Sequence, residues 1–220
     1  MYIQITTKCN MTCAHCCFAA TRTGEHMLLN VFEKALSVAV QYGDHVTIGG
    51  GEPTMHPQFF QYLNLARKEQ ELGRMEMHPF LVTNGKNAKV KRLLDIVERE
   101  YEIGTHTFSM ALSQDEWHEE IDWGVVRRAE RLVRLTGEHG DRSGRMEIRT
   151  VKVISPVGRG RHSKFDSMRK PWGGCACETA LVDPEGIVWA CGCKKKKLGS
   201  IWDEGVLDGY DPDEVHKEAA

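Results

Sequence analysis

The eight cysteines fall into two groups of four, at positions 9–17 and 175–193, with none between them. Clustering of this kind reads as two metal sites in a reducing compartment, whereas a disulfide scaffold spreads its cysteines along the chain. No secretory pattern precedes the first group, because charge and cysteine arrive by residue 9. Within that group, Cys9-x3-Cys13-x2-Cys16 follows directly on Tyr2-Ile3-Gln4-Ile5-Thr6, a short apolar strand. A tight loop with thiolates at these offsets turns three sulfurs toward one point, and its backbone N–H groups are free to bond to sulfur. Three thiolates on a four-iron cluster leave one iron open to a small molecule. A structural zinc site asks for four ligands in paired spacing, and no second pair lies nearby. An iron–sulfur cluster is the first reading of this loop, zinc the second and unlinked thiols the third. Cys17 is an extra thiol, expected to behave as a buried small hydrophobe.

Length and composition admit one domain, or one domain with a small appendage. At 220 residues the chain can bury a substantial core, and 41% hydrophobic with 27% charged residues is ordinary for a soluble globular protein. The net charge of −2 gives no global pull toward nucleic acid or membrane. No apolar run is long enough to span a bilayer. A cytoplasmic protein is expected.

Periodicity then sets the fold class. Residues 30–42 carry a helical stripe of Val31, Ala35, Val38 and Ala39 with Asn30 as N-cap, and residues 45–48 form a buried strand. Helix is expected over 57–72, strand over 79–82, helix over 88–99, strand over 105–112, helix over 119–135 and strand over 145–154. Strand followed by helix at this interval predicts a parallel sheet curling toward a barrel. An eight-fold barrel needs about 250 residues, so this one is partial, with about five to six parallel strands. The fold class is therefore α/β, a partial (β/α) TIM-like barrel. Beyond it, residues 180–182, the turn Asp183-Pro184-Glu185-Gly186 and residues 187–190 read as a β-hairpin. That hairpin brings Cys175-Ala176-Cys177 toward Cys191-Gly192-Cys193, giving four sulfurs for one metal centre.

Functional residues in such folds gather at the C-terminal ends of the strands. Here the cysteine loop, Gly49-Gly50-Gly51-Glu52-Pro53, Thr83-Asn84-Gly85 and residues 113–118 all occupy strand ends. Glycines at 49–51 let backbone approach a ligand, and the Glu52 carboxylate and nearby carbonyls accept from an ammonium. The bland alternative is a glycine-rich turn. Ser113 and Asp115 offer a hydroxyl and a carboxylate to a ribose, or they begin and charge a helix N-terminus. His118 reads as a structural strand-end histidine. Thr83-Asn84-Gly85 is a turn by its chemistry. Arg159 carries a planar fork suited to a carboxylate or another anion, and Arg161 reads as solvated. Lys194, Lys195, Lys196 and Lys197 form a basic run that is usually solvated, and with Arg159, Arg161, Lys164, Arg169 and Lys170 it could instead meet phosphates.

Cys9-x3-Cys13-x2-Cys16 at the end of a first strand resembles the signature of radical S-adenosylmethionine (SAM) enzymes, and Gly50-Gly51-Glu52-Pro53 resembles that family's GGEP motif. The resemblance implies that Cys9, Cys13 and Cys16 hold a [4Fe–4S] cluster whose open iron chelates the amino and carboxylate groups of SAM. It implies that Gly50, Gly51 and Glu52 hold the SAM amino group, and that Ser113 and Asp115 meet its ribose. His15 stands where the family usually has an aromatic residue, and its imidazole can still lie against adenine. Asn84 lies in a turn that relatives often share, and it is counted with these cofactor-binding residues. Residues 153–161 resemble a Pro-x-Gly-Arg-small motif that closes the barrel, from which Arg159 reaches the SAM carboxylate or a substrate anion.

The C-terminal hairpin, its cysteine spacing and Leu198-Gly199-Ser200-Ile201-Trp202 are similar to the SPASM/twitch extension, which carries auxiliary clusters. A full extension has seven cysteines and this one has four, so a single second, auxiliary [4Fe–4S] cluster on Cys175, Cys177, Cys191 and Cys193 is expected, with Cys₄ zinc as the alternative. The implied organisation is a core over 1–160 and an auxiliary region over 161–220. The implied activity is reductive cleavage of SAM to a 5′-deoxyadenosyl radical and hydrogen abstraction from a peptide, a protein side chain or a small aminated metabolite. The oxidoreductase, isomerase or transferase outcome is left open, and no catalytic side chain is assigned. The electron would come from a small flavodoxin- or ferredoxin-type donor protein. With the first strand beginning at residue 2, no fused leader-peptide domain is expected. The lysine run keeps a nucleotide or nucleic acid as the alternative substrate, and a non-catalytic zinc-binding regulator is the alternative of a different class.

Overall fold

The computed structural model describes residues 1–42, 45–137, 146–150, 158–162, 179–211 and 214. Strand β1 (Tyr2–Thr6) shows why the first segment extends. Ile3 and Ile5 alternate into the apolar core, while Tyr2, Gln4 and Thr6 point to the opposite face. Helix α1 (Leu29–Tyr42) buries Val31, Phe32, Ala35, Leu36, Val38 and Ala39, the three-and-four spacing of one helical face. Strand β2 (Thr47–Gly50), helix α2 (Phe59–Glu71), strand β3 (Phe80–Thr83), helix α3 (Lys89–Ile103), strand β4 (Ser109–Ser113), helix α4 (Trp123–Gly137) and strand β5 (Met146–Arg149) follow in strict alternation. Gly104 closes α3 at φ 72°, a left-handed position suited to glycine.

All pairings from β1 to β5 are parallel, so each connection must cross over, and the helices supply the crossovers. The core lies between the sheet and these helices, with Phe32, Phe59, Tyr62 and Phe108 among its largest fully buried side chains. Phe32 stacks on Tyr62 at 4.3 Å between ring centroids.

The C-terminal hairpin forms as its turn chemistry requires. Strands β6 (Leu181–Val182) and β7 (Ile187–Trp189) are antiparallel, and β8 (Lys197–Ser200) adds a third strand. Asp183 holds the turn by accepting from Ile187 N–H at 3.0 Å, Glu185 N–H at 3.2 Å and Trp189 Nε1 at 2.7 Å, and Gly186 takes φ +82°. Strand β6 pairs parallel with β1, so the sheet runs β5-β4-β3-β2-β1-β6-β7-β8. The partial-barrel α/β architecture expected from the sequence is the one observed.

Three local expectations are corrected. Asn30 lies inside α1 rather than at its N-cap, because the helix begins at Leu29. Strand β4 begins at Ser109 rather than at 105, and α4 at Trp123 rather than at 119, so residues 119–122 belong to the loop over 114–122. Asp122 caps α4, accepting from Gly124 N–H at 2.7 Å, so Ser113 and Asp115 are not helix caps. The segments 151–157 and 163–178, with Cys175, Cys177, Lys164, Arg169 and Lys170, lie outside the described residues. No helix among the described residues is long and apolar enough to cross a membrane.

Candidate functional site

The loop after β1 is held by its own backbone and clasped from both flanks. Cys9 N–H donates to the Thr21 carbonyl at 2.7 Å, Cys16 N–H to that of Cys13 at 3.2 Å and Ala19 N–H to that of Cys16 at 3.3 Å. Arg159 Nε donates to the Cys13 carbonyl at 2.9 Å, its NH1 to that of Ala20 at 2.6 Å, and its backbone N–H to that of Cys16 at 3.0 Å. On the other flank, Glu119 accepts from Thr12 N–H at 2.7 Å and Thr12 Oγ1 at 3.1 Å, and it also pairs with Lys86. The Lys86 ammonium and the Thr12 donors hold the Glu119 carboxyl down at about 2.

Three thiols look into one cavity of about 280 Å³, whose walls include Cys9, Cys13 and Cys16, together with Tyr2, Gly50, Gly51, Asn84, Ser113, His15, His118 and Arg159. Cys9 Sγ accepts from Met11 N–H at 3.4 Å and from Asn84 Nδ2 at 3.5 Å, the N–H···S pattern that stabilises a thiolate carrying metal. Burial pushes the Cys9 thiol up to about 11, and negative charge on Glu52, Cys16 and Cys13 adds to it. A bound cationic metal offsets both effects. Among the described residues, no three His, Cys, Asp or Glu side chains close around a single point as one tetrahedral ion requires. A cluster asks for a different arrangement, each sulfur serving its own iron around a shared space, and this all-sulfur donor set fits it.

The glycine-rich strand end packs against β1 rather than standing open. A Cβ on Gly50 would lie 2.5 Å from the Thr6 carbonyl oxygen, and one on Gly51 would lie 2.4 Å from that of Lys8. Glycine there permits Gly51 N–H to reach the Thr6 carbonyl at 2.7 Å and Glu52 N–H that of Lys8 at 2.8 Å. Glu52 is fully buried and does not line the cavity. Its Oε1 accepts from Thr54 N–H, Thr54 Oγ1 and Thr83 Oγ1 at 3.1, 2.6 and 2.8 Å, and its Oε2 from Asn84 N–H at 2.7 Å. Burial pulls this carboxyl upward and the four donors pull it down, with burial the larger influence. Glu52 thus ties the end of β2 to the end of β3 and acts on the cavity from behind.

Ser113 lines the cavity, but Asp115 does not. Asp115 Oδ1 gathers Trp117 N–H at 2.9 Å, His118 N–H at 3.2 Å and His118 Nδ1 at 2.7 Å. His118 meets His15 edge to face, with centroids 4.6 Å apart. Burial lowers the His15 pKa, and His118 lowers it further. Cys17 is half-buried in the cavity wall instead of sealed in the core.

Two further groups were not singled out from the sequence, Tyr2 in the cavity wall and Arg149 near it. Tyr2 accepts from Gly50 N–H at 2.9 Å, and burial raises its pKa. Its alternation with Ile3 and Ile5 would have placed it on the inner face. Arg149 sits opposite Ser113 in the β4–β5 register and is close enough to favour the Tyr2 phenolate. No ion pair among the described residues claims its guanidinium. Arg159, by contrast, spends Nε and NH1 on loop carbonyls.

At the hairpin end, Cys191 is buried with its Sγ 2.6 Å from Cys193 Sγ. Lys194 reaches Asp183 at 3.5 Å and lies near the Trp189 ring, while Lys195, Lys196 and Lys197 are exposed.

Known structures share this architecture. BtrN in complex with AdoMet and 2-DOIA superposes with a TM-score of 0.62 at 16% identity, over 99% of this chain and 85% of that one. Native anSMEcpe with bound AdoMet gives 0.60 at 16% identity, over 99% and 82%. SuiB of Streptococcus suis bound to its precursor peptide SuiA gives 0.50 at 15%, over 98% and 66%. These likenesses are of fold. No curated protein matches the chain by sequence. The family model for the radical SAM superfamily matches residues 3–140, which contain the cysteine loop, the glycine-rich strand end and the Ser113 strand end. With three thiols and two glycines on one cavity at the C-terminal ends of parallel strands, and a family match across most of the chain, this protein is an enzyme of the radical SAM superfamily.

Proposed function

We propose that this enzyme cleaves SAM reductively at a [4Fe–4S] cluster held by Cys9, Cys13 and Cys16, and removes a hydrogen atom from an unactivated C–H bond of its substrate. The observation that carries the proposal is the convergence of those three thiols with Gly50, Gly51 and Ser113 on one cavity. A bound cluster supplies the electron that splits SAM into methionine and a 5′-deoxyadenosyl radical, chemistry that belongs to the cofactor. The chain's own residues orient SAM and exclude water. Carbonyls at Gly50 and Gly51 accept from its ammonium, Ser113 meets the ribose, and Asn84 steadies Cys9. Arg159 lines the cavity and is the first candidate for the SAM carboxylate, and Arg149, near Tyr2 and not tied to loop carbonyls, is a second. Glu52 and Asp115 support these groups without touching SAM.

A second cluster on Cys175, Cys177, Cys191 and Cys193, in a region spanning 161–220, would accept an electron from the substrate radical or anchor the hairpin. Support comes from the hairpin, which brings Cys191 and Cys193 to the end of β7. The substrate class is a peptide, a protein side chain or a small aminated metabolite, and the electron donor is a flavodoxin- or ferredoxin-type protein. The exposed Lys195, Lys196 and Lys197 favour a nucleotide or nucleic acid as the second reading.

The deciding experiment is anaerobic. The reconstituted protein, reduced with dithionite and given SAM, should release 5′-deoxyadenosine, and alanine at Cys9, Cys13 and Cys16 together should abolish both the release and the site's iron. Undiminished release from that triple variant overturns the assignment.

A further inference from the structure

Among the described residues, Gln4 alone has both polar atoms of its side chain buried and without a hydrogen-bond partner. It lies on β1 between Tyr2 and Thr6, on the face turned away from the apolar core and toward the inside of the partial barrel. Strand register shows what shares its level. Gln4 pairs with Gly49, the β2–β3 register continues from Gly49 to Val82, Val82 pairs with Ala111, and Ala111 with Glu147. Met146 and Ile148 pack on the core, so Glu147 between them faces inward as well. One layer thus crosses the inside of the sheet, with an amide at one end, a carboxylate at the other and three small side chains between. Val82 belongs to the wall of the three-thiol cavity, and so does Tyr2, the neighbour of Gln4 on its face. The layer therefore adjoins that cavity.

The two ends ask for different chemistry. A buried amide with both functions idle is completed by a group that brings an acceptor and a donor together, which is a second amide. Glu147 is exposed, and no ion pair among the described residues claims it. A carboxylate there is matched by an ammonium and repels a phosphate. The floor of Gly49, Val82 and Ala111 between them offers nothing polar from its side chains and suits an alkyl chain. From β1 to β5 the layer crosses four strand spacings, about 19 Å along the sheet, shortened from both ends by the two side chains.

We propose that Gln4 and Glu147 are the specificity-determining pair for the substrate, Gln4 reading an amide and Glu147 an ammonium, with an alkyl segment laid over Val82 and Ala111. The substrate class is an aminoalkyl amide, such as a lysyl residue within a peptide. The inference rests on the reading of the adjoining cavity as the place where SAM is cleaved.

The test is calorimetric titration of the reconstituted, SAM-loaded full chain with three probes. They are ε-aminocaproamide, caproamide, which lacks the ammonium, and methyl ε-aminocaproate, which has an ester in place of the amide. The wild-type protein should bind the first about tenfold more tightly than either of the others. Glu147→Gln should bind the first two probes equally, and Gln4→Met the first and third. Without any probe, Gln4→Met should unfold at a higher temperature than the wild type, because it takes two idle polar atoms out of a buried position. Equal affinity of the wild type for all three probes, no binding of ε-aminocaproamide, or a lower unfolding temperature for Gln4→Met overturns the inference while the same preparation still releases 5′-deoxyadenosine. An iron-loaded wild type that releases none removes the SAM reading itself, and this inference with it. The wild-type comparison of probes needs no variant to fold.

Discussion

Arg159 Nε lies 2.9 Å from the carbonyl oxygen of Cys13, a residue 146 positions earlier in the chain. A second donor from the same guanidinium reaches Ala20, so one late arginine closes the early cysteine loop. Hydrogen bonds from a charged group contribute about 1.5–3 kcal/mol each. Arg159→Met should lower the stability of the protein by about 2–4 kcal/mol, the two bonds being partly replaced by water. Urea unfolding checks this, and iron content per chain should fall in parallel. Arg159→Lys should recover only part of the loss, because one ammonium cannot span both carbonyls.

Gly158 precedes that arginine at φ +57°, and a Cβ there would lie 2.2 Å from the Cys17 carbonyl oxygen and 2.6 Å from that of Cys16. Gly73 has a similar φ of +68° with nothing within 4 Å. Alanine at Gly73 should therefore cost about 1 kcal/mol of backbone strain alone. Alanine at Gly158 should cost more than about 3 kcal/mol or prevent the loop from forming. Paired denaturant titrations of the two variants separate strain from collision.

Glu52 receives four donors and offers none. Glu52→Gln places an amide N–H against at least one of Thr54, Thr83 and the Asn84 N–H, leaving facing donors without an acceptor. The expected loss is about 2–4 kcal/mol of stability. SAM binding should weaken as well, because Gly50 and Gly51 lose their anchor. Calorimetry on the apo protein and dialysis on the loaded one report the two effects.

Glu119 links stability to acid. Its carboxyl is lowered from 4.5 to about 2 in the folded protein, so its contribution is full above the unfolded value of 4.5 and is lost as pH falls through about 2. The stability gap between the reduced apo protein and Glu119→Gln should be constant above about pH 5, then shrink steadily toward pH 2. A gap that does not change across that window would show that the Thr12–Glu119–Lys86 clasp does not form in solution.

The second cysteine group is checked by stoichiometry. Two four-iron clusters predict about eight irons per chain, and alanine at both Cys191 and Cys193 should leave about four. Release of 5′-deoxyadenosine should survive that change. About four irons with one zinc in the wild type, the zinc lost in that variant, would assign the C-terminal thiols to a Cys₄ site.

Spacing within short stretches determined much of this protein. Cys9, Cys13 and Cys16 announced their site through offsets of a few residues, the strand–helix alternation announced the parallel sheet, and Asp183 with Gly186 announced the hairpin turn. Each of these signals is local, carried by side-chain period or by turn chemistry. What Glu52, Arg159 and Asp115 do was decided only by tertiary structure. Their residue types suited a ligand, yet Glu52 meets Thr83 and Asn84, Arg159 meets Cys13 and Ala20, and Asp115 meets His118. Arg149 likewise acquired its place opposite Ser113 and near Tyr2 from strand register. A charged group goes to whichever partners the packed chain presents first, and those partners lie too far along the chain for any local pattern to reveal.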